Sequence, residues 1–95
     1  MDIQNERELL IEKLVSKLPT FRQELGLSQA EFGKKVGLSR QSISSVERGA
    51  VPLSWSNYLS IIMFFNMNRW NERICIFLDE NDKTIKTLLC EGQGA

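Results

Sequence analysis

Histidine is absent from the 95 residues, and cysteine is scarce: Cys75 and Cys90 stand alone, with no C-x-x-C spacing. A zinc site built from His and Cys has no ligand set here, so neither a metal nor a cofactor is expected. Two isolated cysteines read as reduced thiols of a cytosolic protein, with a disulfide or redox pair as the alternative. There is no nucleophile–base arrangement, no Gly-rich phosphate loop and no carboxylate cluster, and the chain is not expected to be an enzyme. An excess of either charge is missing too: 12 Lys and Arg face 12 Asp and Glu, which gives no global attraction to nucleic acid or to a membrane surface. The densest apolar run, Tyr58 to Phe65, falls far short of the ~20 residues that span a bilayer. The N-terminus is charged and lacks the apolar stretch of a signal peptide. Together these absences leave a single soluble, cytoplasmic domain with a modest core.

What is present is unevenly placed. Residues 13–48 hold seven Lys and Arg against three Glu, a local excess of four positive charges that the rest of the chain cancels. Residues 2–18 read as an amphipathic helix on the spacing of Leu9, Leu10, Leu14, Val15 and Leu18. Pro19 ends that helix, starts another at its first turn, or kinks a continuous one; Phe21 and Leu25 carry the stripe on to Gly26. Ser28-Gln-Ala-Glu31 is a capping box that opens a short helix burying Phe32 and Val36 and ending at Gly37. Ser39 caps the next, with Ile43 and Val46 as its apolar stripe and Gly49 as its stop. Ser54 starts a fourth helix to about Met67, apolar almost all round from Tyr58 onward. Such a helix needs either other segments or a second chain to cover it. The tail is ambiguous. Trp70, Ile74, Phe77 and Leu78 have helical spacing, but Ile74–Leu78 and Thr84–Leu89 around Asp79–Lys83 also fit a hairpin.

Two short helices joined by about three residues must cross steeply and approach closely. Gly33, inside the first of them, suits direct packing of the second over it, and Gly37 supplies the positive φ of the turn. Phe32, Val36, Leu38, Ile43 and Val46 then form one apolar patch, a helix-turn-helix arrangement. At about 100° per residue, Gln41, Ser44, Ser45 and Arg48 lie opposite the buried side of the second helix, with Arg40 and Ser42 flanking them. Short, polar, non-acidic side chains of this kind suit base edges in a major groove: Gln pairs with adenine, Arg with guanine, Ser with either. A solvated helix face has a similar composition; the serine load is what favours recognition. Glu47 turns about 40° from Ile43, towards the core, and there requires a partner.

The run from Gln29 to Gly49, preceded by "LGLS" and closed by "ERG", resembles the helix-turn-helix of the XRE family, the phage-repressor and Cro-like regulators. The resemblance covers about residues 20–67. It implies an all-α, lambda-repressor-like bundle of about five helices, with residues 1–18 an N-terminal helical extension, 19–68 the DNA-binding core and 69–95 a C-terminal segment that could dimerise. Gln29 would contact a phosphate and brace the recognition helix, while Arg40, Gln41, Ser42 and Ser45 would face the groove. Ser39, Ser44 and Arg48 complete the candidate DNA-contacting set; Arg48 stands where many members carry asparagine, so only a backbone contact carries over there. Arg22 and Glu47 match the family's buried Arg–Glu pair. The loop "GAVPLSW" has no Lys or Arg, which makes phosphate anchoring modest and favours two subunits acting together.

The leading expectation is thus a sequence-specific regulator of double-stranded DNA, a repressor acting as a homodimer on a palindromic site. Its dimer seam would lie in the surplus apolar surface of residues 58–78. The competing expectation is an antitoxin-like or adaptor module that keeps the fold and binds another protein through residues 70–91.

Overall fold

A computed structural model of the chain describes residues 3–93, with side chains described over 5–87. Five helices follow one another: α1 (Ile3–Glu24), α2 (Gln29–Val36), α3 (Arg40–Glu47), α4 (Trp55–Asn66) and α5 (Glu72–Gln93). Each of the three middle helices starts on a serine whose side-chain oxygen accepts a backbone N–H. Ser28 accepts from Glu31, Ser39 from Ser42 and Ser54 from Asn57. At α2 the box is complete, because the Glu31 carboxylate also accepts the Ser28 N–H at 2.9 Å. That bond, with a second from the Ser28 hydroxyl, holds the Glu31 carboxyl below its ordinary range.

Pro19 lies inside α1, which runs on past it. Proline removes the hydrogen bond to Val15 and in a helix interior costs about 3 kcal/mol. The helix survives because Leu14, Leu18 and Phe21, on both sides of the proline, are locked in the core. Leu10 and Leu14 belong to the same cluster as Phe32, Val36, Ile43 and Val46, and α1 contacts α3, α4 and α5. Four phenylalanines knit the helices together. Phe65 of α4 stacks on Phe32 of α2 at 5.9 Å and meets Phe21 of α1 edge-on at 5.6 Å, and Phe21 in turn meets Phe77 of α5 at 5.4 Å. Such pairs add about 0.5–1.5 kcal/mol each beyond the area they bury.

The apolar fourth helix is only partly covered. Tyr58, Ile61, Ile62 and Phe65 are buried against α1, α2 and α5. Leu59 and Met63, on its outer face, stay 44% and 69% exposed, and Met67 and Trp70 just beyond it are exposed at 76% and 72%.

The hairpin alternative for the tail does not occur: residues 72–93 form one 22-residue helix. The segment Asp79–Lys83 lacks the glycine or proline of a tight turn and instead finds helical partners. Asn71 accepts the Ile74 N–H at 3.0 Å and so caps α5. Arg69 pairs with Asp79 and Asp82, three residues apart on one helix face, at 2.9 Å each. Asn81 turns inward and accepts a 2.8 Å hydrogen bond from the buried Tyr58 hydroxyl. Burial pushes that hydroxyl above the ordinary tyrosine range, and the bond to Asn81 partly opposes the shift. Cys75 is a half-buried free thiol, while the side chain of Cys90 lies outside the described residues.

Candidate nucleic-acid interface

The site is built on the crossing of α2 and α3. Gly37 sits at φ +80°, a region open to glycine, and lets the Leu38 N–H return to the Gly33 carbonyl at 2.8 Å. The turn folds so tightly that a Cβ on Gly33 would run into the Leu38 carbonyl oxygen, with the Ser39 carbonyl carbon 3.4 Å away. The group packed over Gly33 is therefore the backbone of the turn, not a side chain of α3. Leu38 is half-buried against the core that Phe32, Val36, Ile43 and Val46 share.

Beneath the crossing lies an ion pair that ties three segments together. Glu47, at the end of α3, receives Arg22 Nε at 2.8 Å on one oxygen and Arg22 Nη2 at 3.1 Å on the other. Gln29, the first residue of α2, donates to the same carboxylate at 3.1 Å. The remaining arm of Arg22 donates to the Leu27 carbonyl at 2.9 Å. The side chains of Arg22 and Glu47 are only 12% and 6% exposed, so the fork-to-fork geometry and the Gln29 bond are what make burial of these charges tolerable. Gln29 thus braces α3 through Glu47.

The outer surface of α3 gathers the other candidate residues. Ser39, Arg40, Gln41 and Arg48 are exposed; Ser42, Ser44 and Ser45 are half-buried. Several of these groups are already engaged. The Ser39 hydroxyl accepts the Ser42 N–H and donates to the Ser42 hydroxyl at 2.9 Å. Arg48 folds back on its own helix, with Nε 3.3 Å from the Ser44 carbonyl and Nη2 3.5 Å from the Ser45 hydroxyl. That posture satisfies a carbonyl at the helix end and complements its negative pole. Arg40 and Gln41 differ: among the described residues neither side chain has a hydrogen-bond or ion-pair partner. The first turn of α3 carries no acid, and exposed Lys34 and Lys35 end α2.

Two short helices crossing at a glycine turn, with a polar second helix held from below, define a helix-turn-helix unit of the kind that presents one helix to DNA. A family model described as helix-turn-helix matches residues 20–62, and the chain contains a helix-turn-helix domain of the XRE/Cro-like type there. No curated protein and no solved structure matches the chain. Among the described residues, no group of three or more His, Cys, Asp or Glu is placed to hold a metal ion. No described helix is long and apolar enough to cross a membrane.

Proposed function

We propose that the chain is a sequence-specific transcriptional regulator of the XRE family, a cytoplasmic repressor that binds a palindromic DNA site as a homodimer. The observation that carries this reading is the condition of Arg40 and Gln41. Both stand exposed on the first turn of α3, without partners among the described residues, on a helix whose base is clamped by Glu47. A clamped helix presenting a free Arg, which donates twice to guanine, and a free Gln, which donates to and accepts from adenine, is suited to reading base edges. Ser42 and Ser45 keep the same face short enough for close approach, and Gln29, at the head of α2, lies within the docking surface. Ser39, Ser44 and Arg48 border it.

The homodimer is supported by α4. Its sequence WSNYLSIIMFFN has no charged residue, and its outer face exposes Leu59 and Met63, continued by Met67 and Trp70. Two copies of an uncharged apolar stripe meet without charge repulsion, and a palindromic site requires such a pairing to hold two recognition helices about 34 Å apart, one turn of DNA. Selection of bound duplexes from a random library tests the reading. Enrichment of an inverted repeat is expected; recovery of unenriched sequence would refute it. Among the described residues of 70–91, the protein-binding alternative draws support from Trp70 and Ile76, exposed at 72% and 53%, while Ile74 and Leu78 are fully buried in the chain's own core.

A further inference from the structure

A second surface, away from the outer face of α3, has the form of a ligand site. Between α1 and the segment that joins α3 to α4 lies an open groove of about 610 Å³, a size in the usual ~300–1,000 Å³ range of small-molecule sites. Ile11 and Val15 form one wall, Val51 the other, and Val46 the floor. Val51 is 46% exposed, which leaves this apolar surface open to water. Among the described residues, the ionisable groups along it are Glu8 and Glu12, one helical turn apart on α1, both exposed. Like charges at that spacing disfavour each other, and among the described residues neither has an ion-pair partner. Neighbouring cations are directed elsewhere: Arg48, beside the lining Gly49, folds back on Ser44 and Ser45. Arg7 lies over the Trp55 ring at 4.9 Å, while Lys13 and Lys17 line hollows on the α5 side of α1.

We propose that this groove binds a small hydrophobic cation, an apolar body bearing a positive charge that Glu8 and Glu12 meet at the rim. The acidic rim repels DNA phosphate and repels the same groove on a second copy. The α1 wall from Glu8 to Ser16 is only about 12 Å long at 1.5 Å per residue, short for the docked length of a partner helix. Val46 belongs both to this floor and to the buried face of α3. An occupant therefore presses on the recognition helix from behind, a regulatory consequence that rests on the DNA-binding reading, whereas the binding itself does not.

The test is titration of the full chain with tetraphenylphosphonium and, separately, with tetraphenylborate, an anion of nearly the same shape, following the methyl resonances of Val46 and Val51 by NMR. The phosphonium is expected to shift both methyls saturably and the borate to leave them unmoved. The double variant Glu8→Gln with Glu12→Gln, on an exposed helix face, should keep its melting temperature and bind the phosphonium roughly tenfold more weakly at low salt. Absence of a saturable shift, equal response to both ions, or unchanged affinity in the double variant would each overturn the proposal. Movement of the same methyls on raising protein concentration alone would assign the groove to a second copy and overturn it as well. No DNA enters the assay, so failure here leaves the proposed DNA binding untouched.

Discussion

Helices α3 and α4 begin alike and end as opposites. Each opens on a serine in extended conformation whose hydroxyl accepts a backbone N–H three residues on. Both bury apolar residues in the same core, Ile43 and Val46 from α3 and Tyr58, Ile61, Ile62 and Phe65 from α4. Outward they diverge. α3 presents Arg40, Gln41 and hydroxyls, and rests on a buried ion pair; α4 presents Leu59 and Met63 with no charge along its length. The contrast teaches that local helix chemistry says where these helices start, whereas the outer face says what each one meets. On the proposed reading one face meets DNA and the other a second copy of the chain.

The largest expected effect comes from removing what holds α3. Arg22→Ala leaves Glu47 buried with only Gln29 as a partner, and should destabilise the fold by about 2–4 kcal/mol, measured by chemical or thermal unfolding. An unchanged melting temperature would mean that the clamp contributes nothing. The corresponding lesion on α4 should leave folding alone. Met63→Lys alters a residue that is 69% exposed, so monomer stability should shift by no more than about 0.5 kcal/mol. The same change sets two positive charges facing each other across the proposed seam. Dimer dissociation, followed by sedimentation, should rise by roughly a hundredfold. A dimer indifferent to this change would place the seam elsewhere. The smallest effect separates the two helices most finely. Ser39→Ala and Ser54→Ala each remove a cap and should cost about 1 kcal/mol of stability, yet only Ser39→Ala should also weaken DNA binding once folding is accounted for. Equal DNA-binding losses would erase the proposed division between the faces.

Much of this arrangement was legible because it is written in local signals. The three serine caps, the glycine turn and the stripe Phe32, Val36, Ile43, Val46 are each set by neighbours within a few residues, and all are found. Glu47 could be placed near the core from helical rotation alone, and the family resemblance supplied Arg22 as its match. The tail was open for the opposite reason. The helical spacing of Ile74 and Leu78, both buried, is joined by contacts from outside the segment: Arg69 reaches Asp79 and Asp82, and Tyr58 reaches Asn81 from 23 positions away. No periodicity within the segment announces such partners. Pro19 was ambiguous likewise, since only burial on both sides of it decides that α1 continues. Gly33 was read as making room for α3, where its real neighbour is the backbone of Leu38 and Ser39. The engagement of Ser39, Ser42 and Arg48 within their own helix, which sets Arg40 and Gln41 apart, was beyond any reading of residue types.

The central claim is that the free side chains of α3 read base sequence. It is tested most directly by measuring Arg40→Ala and Gln41→Ala on a selected duplex and on a scrambled duplex at the same salt. The account predicts a loss of roughly 1–3 kcal/mol on the selected duplex for each variant, with binding to the scrambled duplex nearly unchanged. Equal losses on both duplexes would make these side chains phosphate contacts and contradict it.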